Sequence, residues 1–515
     1  MPTAIDLFCG AGGFSEGLIQ AGFDIVFSSD RSKEVKETYE HRHRQLGLIQ
    51  GINTHFELAD IRELTATDVL DAVNSLSAYS GDFKKGMFDA IFGGPPCQGF
   101  SRAGKRDSKD PRNMLFHEYL RIIRDLYPKY VVMENVAGFM DMQMLDFPSV
   151  LKDREYRGQV LVSEILQEEL VGLGYHVLQP KILDASDYGV PQKRRRAVFI
   201  AYRADVEKPC YPTPTSDHVK VTVKDALSGL YSEAEPISEY GMESMNGRTP
   251  DINGKTVPVE KIIQNQDVST HTASVIQRFE LYRQGESTKN VVTRINSEGL
   301  KDLVIKKELL TETLFHVNKV SNEKVIMDIL DDLGLKKDEY SKPRWLGNTN
   351  KLLSSIELAN SDVDKNKLLK NLANRIDATV EQTEFFYQLS KERLNQKIRS
   401  DQLFQMLEHG DISDTILEGL FTKKNSRRRI DSNKPSPTMV TLPDDFIHPD
   451  KNRILSVREM ARFQSFDDSF EFLGKRTTGG EKRKEEVPQY TQVGNAVPPL
   501  LARAIAKEIY RALKA

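Results

Sequence analysis

The sequence predicts a doubly wound α/β domain with a mostly parallel sheet, followed by a second domain of different character. Three observations lead there. Through about residue 205, short apolar runs alternate with amphipathic ones, the pattern left by buried parallel strands joined through crossover helices. Beyond Arg203 this alternation fades into long polar segments. After about Ser426 motif-dense sequence returns, and a chain of 515 residues exceeds the usual size of one domain.

Taken in order, residues 4–9 read as a first strand, then a glycine turn, then a helix from about Phe14 that stops at Gly22. Further strands are expected at 25–29, 87–92, 130–134, 176–183 and 197–202, with helical patterns between most of them. A third strand is expected to end near Asp60-Ile61. Residues 320–410 look mostly helical: Ser361 to Asp364 matches a capping box, Leu368, Leu369, Leu372 and Ile376 recur at helical spacing, and Gly334 reads as a helix stop. An amphipathic helix over 500–513 closes the chain and is expected to pack back on the N-terminal sheet. The boundaries expected are a catalytic domain over 1–205, a variable region with a helix-rich insertion over 206–425, and a return segment over 426–515.

Composition narrows the function classes. No apolar run is long enough to span a bilayer and no basic-then-apolar leader follows Met1, so a cytoplasmic protein without a membrane role is expected. The three cysteines, Cys9, Cys97 and Cys210, form neither a disulfide framework nor a zinc-type pair, and no metal site is expected. A formal charge of −3 exerts no general pull on a polyanion, so any nucleic-acid binding must come from local basic runs. Three occur, at 193–196, 423–429 and 475–484.

The motifs carry chemistry. Asp6 to Ser15 sets a glycine-rich turn between strand and helix, where the backbone can approach a ligand at the carboxyl edge of a sheet. Asp30 follows the second strand, where a carboxylate can accept from ribose hydroxyls, and Asp60 is placed to accept from an adenine amino group. The run Gly93-Gly94-Pro95-Pro96-Cys97-Gln98 follows a strand directly, and its two prolines hold Cys97 on a stiff loop instead of in a core. Val131 to Val136 ends an apolar strand in Glu134, a carboxylate able to exchange a proton with a ring nitrogen beside a nucleophile. In Gln192-Lys193-Arg194-Arg195-Arg196, alternate side chains of an extended segment face the same way, so Arg194 and Arg196 are expected to share a pocket that favours a thiolate.

These motifs, with Pro435-Ser436-Pro437-Thr438, Arg458 to Gln464 and Gln492-Val493-Gly494-Asn495-Ala496-Val497-Pro498, resemble in order those of the DNA (cytosine-5)-methyltransferases of the prokaryotic restriction-modification type. The resemblance covers about 1–205 and 425–515. It implies a Rossmann-like class I fold dependent on S-adenosyl-L-methionine, with a separate target-recognition domain. It implies that Cys97 attacks cytosine, that Glu134, Arg194 and Arg196 assist, and that Phe8, Gly10, Gly12, Asp30, Asp60, Ile61, Pro96, Asn495 and Val497 line the cofactor site. It further implies a flipped base in double-stranded DNA, a loop over 101–113 closing on it, and a monomer working beside a separate restriction endonuclease without a stable complex. Arg31 departs from the pattern, because relatives often carry a large apolar residue there.

Three rivals compete. A transfer-RNA enzyme of the same chemistry would be shorter and carry a Cys-Phe-Thr signature, which is absent. A catalytically dead DNA-binding homologue would be expected to have lost one of Cys97, Glu134, Arg194, Arg196 or Asn495. A dehydrogenase would need G-x-G-x-x-G where this chain has Gly10-Ala11-Gly12-Gly13.

Overall fold

The computed structural model describes residues 1–96, 114–152, 154–215, 219–231, 237–259, 262–300, 305–357, 359–394, 398–410, 412–422, 426–478, 482 and 485–515. They form two compact units, one of residues 1–268, 431–443 and 455–515, the other of residues 269–430 and 444–454.

The first unit opens with β1 (Thr3–Leu7), α1 (Gly13–Ala21), β2 (Asp24–Asp30), α2 (Lys33–Gln45), β3 (His55–Leu58), α3 (Ala66–Asn74) and β4 (Ala90–Gly93). It continues through α4 (Leu115–Leu126), β5 (Tyr130–Val136), β6 (Gln143–Leu145), β7 (Gln159–Leu161), α5 (Val162–Gly172), β8 (Tyr175–Val177), β9 (Lys181–Asp184) and β10 (Arg195–Arg203). Both β1 and β4 are buried along their whole length, as strands covered by helices on two faces must be, and apart from Thr3 and Asp6 in β1 they carry no polar side chain. Ser32 caps α2 and a Thr65–Asp68 capping box starts α3, each supplying acceptors for backbone N–H groups that have no partner inside the helix.

One sheet runs in the order β3-β2-β1-β4-β5-β10-β8, with β9 also paired to β10. The first five strands in that order are parallel, and β10 runs antiparallel to β5, β8 and β9. Strand order therefore reverses between β1 and β4, which opens a crevice at their carboxyl ends where α/β sheets bind ligands. The single strand expected over 176–183 is two, β8 and β9, both on β10.

The last helix, Pro499–Lys514, does return to the N-terminal region, and it packs against α1. The approach is close: a Cβ on Gly17 would lie 2.4 Å from Ala502 Cβ, and one on Gly13 would lie 2.2 Å from the Val497 carbonyl oxygen. Only glycine fits at those two positions, so the glycines of the opening motif serve helix packing as well as the turn.

The compact units do not divide at 205/206 and 425/426 as the sequence reading expects. Residues 206–268 stay with the sheet because polar bonds hold them there: Arg248 N donates to Asp467 at 2.9 Å, Gln20 to Thr249 at 2.9 Å, and Arg462 to the Ala226 carbonyl at 2.9 Å. Residues 444–454 leave the return segment because Arg428–Arg429 pairs in parallel with Phe446–Ile447 and the buried Arg429 donates to the His448 carbonyl at 2.9 Å.

The second unit is mostly helical. Helices Lys319–Asp332, Pro343–Glu357, Asp362–Ile376, Val380–Arg393 and Ser400–His409 fill the stretch expected to be helical. Ser361 Oγ accepts from Asp364 N at 3.1 Å as N-cap, and Gly334, with φ +65°, ends the helix before it by donating to the Asp331 carbonyl. This region has its own apolar cluster, built on Ile326, Ile329, Leu330, Leu372, Ile376 and Phe386. A second cluster, on Phe279, Val291, Ile295, Leu309, Leu403 and Leu420, joins the flanking helices.

Candidate active site

The site is built from strand ends. Register fixes the neighbours: Leu7 at the end of β1 lies beside Ser29 of β2 and Gly93 of β4, and Gly93 lies beside Met133 of β5. The residues that follow, Phe8, Asp30, Gly94-Pro95-Pro96 and Glu134, therefore emerge at one edge. Arg196 joins them because β10 runs antiparallel and begins at that edge, its Cα partner being Val136.

Around β1 the backbone turns sharply. Phe8 takes φ +56°, Gly10 +53° and Gly12 +95°, conformations that glycine adopts readily and phenylalanine rarely. Gly10 N donates to Asp30 Oδ2 at 3.2 Å and Ser32 N to Asp30 Oδ1 at 2.9 Å, so the turn after β1 and the end of β2 are held as one piece. Nothing lies within 4 Å of where a Cβ on Gly10 would stand, which leaves open space against the backbone. Behind the turn, Ser15 Oγ donates to Asp6 Oδ2 at 2.6 Å and shares a hydrogen bond with Tyr39 Oη at 2.7 Å. Burial pushes the Asp6 carboxyl up to about 7, and burial also raises Asp30.

Asp60 and Ile61 follow β3. Asp60 is engaged by Arg62, whose hydrogen bonds hold its carboxyl down at about 2, and Ile61 is buried. The glycine turn, Asp30 and Asp60 thus line one edge, with an open cradle over Gly10. This donor and acceptor set fits a cofactor carrying an adenosyl group.

On the β4 side, Glu134 Oε2 would lie 3.5 Å from a Cβ on Gly94, so the diproline turn passes directly over this carboxylate. Glu134 Oε1 lies 2.6 Å from Arg196 Nε, and both residues are buried. Asn135 Nδ2 donates to the Pro95 carbonyl at 3.1 Å, a brace on the turn from the strand that carries Glu134. Pro96 is partly buried, and Cys97, together with the expected closing loop over 101–113, lies outside the described residues.

The two arginines reach different partners, although the sequence reading expects them to share a pocket. Arg196 meets Glu134, whereas Arg194, also buried, donates to the carbonyls of Met439 at 3.1 Å, Gly494 at 3.1 Å and Ala496 at 3.0 Å. Side chains of like direction along an extended segment diverge here because Arg194 precedes β10 and meets other chain segments. Its neighbour Gln192 donates to the Phe463 carbonyl and to Gln464 Oε1, both at 3.0 Å, and Gln464 Nε2 reaches the Val493 carbonyl at 2.7 Å. Gln192, Gln464 and Asn135 therefore organise the site, and the sequence reading gave none of them a role. The available signal was their place inside motifs already quoted. Asn495 ends a short helix, Gln489–Asn495, and is exposed, while Val497 is buried with its carbonyl against Gly13.

The basic runs are less free than they look. Arg427 and Arg429, in the second run, are buried, and Arg429 donates to the carbonyls of Phe279, Tyr282 and His448 among others. In the third run, Lys475 pairs with Glu486 at 2.9 Å. Among the described residues no helix is long and apolar enough to cross a membrane, and no group of three or more His, Cys, Asp or Glu could hold a metal ion.

Comparison with known proteins shows the family of the chain. The chain is 28% identical to the type II methyltransferase M.DdeI of Desulfomicrobium norvegicum over 98% of its own length and 88% of that protein. It is also 28% identical to the type II methyltransferase M.AgeI of Thalassovita gelatinovora, over 98% of each. Among solved structures it shares its fold, at a TM-score of 0.54 and 19% identity over the full length of both chains, with a protein assigned as a DNA modification methyltransferase and encoded within an E. coli prophage. The family model described as C-5 cytosine-specific DNA methylase matches residues 3–511, and the chain belongs to that family.

Proposed function

We propose that the edge between β1, β4 and β5 binds S-adenosyl-L-methionine and a cytosine flipped out of double-stranded DNA, and that Cys97 is the nucleophile of this DNA cytosine-5 methyltransferase. The observation that carries the reading is the Glu134–Arg196 pair under the Gly94-Pro95-Pro96 turn, which leads straight into Cys97.

Phe8, Gly10, Gly12, Asp30, Asp60, Ile61, Pro96, Asn495 and Val497 would hold the cofactor, with Asp30 accepting from the ribose and Asp60 from the adenine amino group. When bound, it supplies an electrophilic methyl group. The Cys97 thiolate adds to carbon 6 of the cytosine, while Glu134 hydrogen-bonds ring nitrogen 3 and holds its proton, so negative charge does not build up on the ring. Carbon 5 becomes nucleophilic and takes the methyl group, whose bond to the sulfonium sulfur breaks to leave a thioether; the carbon 5 proton then passes to water and Cys97 leaves as thiolate while the carbon 5–carbon 6 double bond re-forms. Arg196 keeps the Glu134 carboxylate oriented; Arg194 positions the loops around 439 and 494–496 and so acts through them. Carbon 6 is unreachable in a stacked duplex, so the base must leave the stack at a cost of a few kcal/mol.

The relatives are named type II methyltransferases, which supports a role in restriction-modification; the further reading is a monomer in the cytoplasm that protects a short DNA sequence beside a separate restriction endonuclease. Bisulfite sequencing of DNA from cells expressing the chain is expected to show one methylated sequence context, lost in Cys97→Ser. Methylation that persists in Cys97→Ser would overturn the assignment of the nucleophile.

A further inference from the structure

The turn after β3 is built more tightly than an ordinary surface turn. Glu63 N and Leu64 N both return to the Asp60 carbonyl, and Arg121 from α4 donates to the carbonyls of Ile61 and Leu64, each at 2.8 Å. The backbone of residues 60–64 is thereby fixed to a helix of the core. On this frame Arg62 takes hold of Asp60 three times: its N–H donates to Oδ1 at 3.1 Å, its Nε to Oδ1 at 2.9 Å and its Nη2 to Oδ2 at 2.5 Å.

A carboxylate offers about four lone-pair sites. Arg62 occupies both on Oδ1 and one on Oδ2, which leaves a single acceptor direction. The guanidinium is planar and forked, so it fixes the plane of the carboxylate as well as its position. The side chain of Arg62 is 64% exposed and that of Asp60 23%, so the remaining acceptor is reachable from outside. Arg31, the residue that departs from the family pattern, adds its positive charge to that of Arg62 and helps keep Asp60 ionised, hence able only to accept.

We propose that Arg62 is a positioning residue for the cofactor's purine ring: it aims one oxygen of Asp60 at the exocyclic amino group and so sets the preference for a 6-amino over a 6-oxo purine. This rests on the cofactor reading given above. An acceptor-only group held in one orientation bonds an amino hydrogen and faces a carbonyl oxygen with repulsion. Without Arg62 the carboxylate turns freely and takes its hydrogen bonds from water, so it distinguishes the two rings less well.

The test measures dissociation constants of the full chain for S-adenosylhomocysteine and S-inosylhomocysteine by titration calorimetry. The unmodified chain is expected to bind the adenosyl compound more tightly. Arg62→Ala is expected to shrink the ratio of the two constants roughly fivefold, the effect of about one oriented hydrogen bond, with an unchanged melting temperature. Arg62→Lys, which keeps the charge and loses the fork, is expected to shrink it as well. A ratio unchanged in both variants would overturn the proposal, and so would tighter adenosyl binding in Arg62→Ala, because Arg62 would then be a competitor for Asp60. Binding of neither compound by the unmodified chain would remove the cofactor reading itself, and the proposal with it.

Discussion

The sheet-bearing unit and the helical unit both use polar side chains to cap helices and satisfy backbone, but the first also sets acids along a strand edge. In the first, acids stand at the ends of parallel strands: Asp30, Asp60 and Glu134 meet at one edge because register, and no local preference, brings their strands together. In the second, polar groups close helices or satisfy backbone, as Ser361, Thr379 and Ser413 do as N-caps and Arg429 does on five carbonyls. Chemistry sits where the fold leaves backbone and side chains unsatisfied at an edge. The described helices of the second unit have no such strand edge, and their buried residues gather in two apolar clusters.

Three substitutions sharpen or break that contrast. The largest effect is expected for Glu134→Gln, which keeps the shape and removes the charge paired with Arg196: methylation of a cognate duplex should slow by on the order of 10²- to 10⁴-fold while cofactor affinity stays within a factor of a few. Equal loss of affinity and rate would mean that Glu134 holds the edge together instead of serving the chemistry. Next comes Ile376→Ala in the helical cluster, where the side chain is fully buried. Denaturant titration should show the second unit destabilised by about 2–5 kcal/mol, with the dissociation constant for S-adenosylhomocysteine unchanged. A parallel fall in that affinity would show the two units to be coupled.

The smallest effect concerns Asp6. Its folded-state value of about 7 lies above the ordinary 3.8, so the folded chain holds a proton that the unfolded chain releases. Between those values the stability contribution falls as pH rises, because ionisation must then occur in a buried site or be resisted. Asp6→Asn should therefore flatten the decline in stability between about pH 4 and pH 7, measured as the unfolding midpoint across that range. An unaltered slope would place the proton elsewhere, and the buried Glu459, raised by burial to about 8, would be the next group to replace.

Much of the first unit was legible because buried parallel strands and glycine turns leave strong local signatures. The runs at 4–9, 25–29, 130–134 and 197–202 fall on β1, β2, β5 and β10, and the helix stop at Gly22 falls where α1 ends. The break between β8 and β9 had a local signal that the reading passed over: Pro180 has no backbone N–H to give a ladder, and pairing with β10 resumes only at Lys181. The unit boundaries were hidden in the sequence. Residues such as Arg248 and Thr249 look like solvated loop sequence until Asp467 and Glu16 are found beside them.

The sequence by itself determined the chemistry available: which acids, arginines and glycines follow which strands, and that a diproline-braced cysteine stands among them. The tertiary structure decided how those groups are shared out. Arg194 and Arg196 differ by two positions and look equivalent as sequence, yet one stitches three carbonyls and the other meets Glu134. The physical reason is range. Strand and turn preferences act over a few residues, whereas a buried guanidinium takes its role from whichever acceptors the folded chain brings within about 3 Å, from positions hundreds of residues away in the sequence.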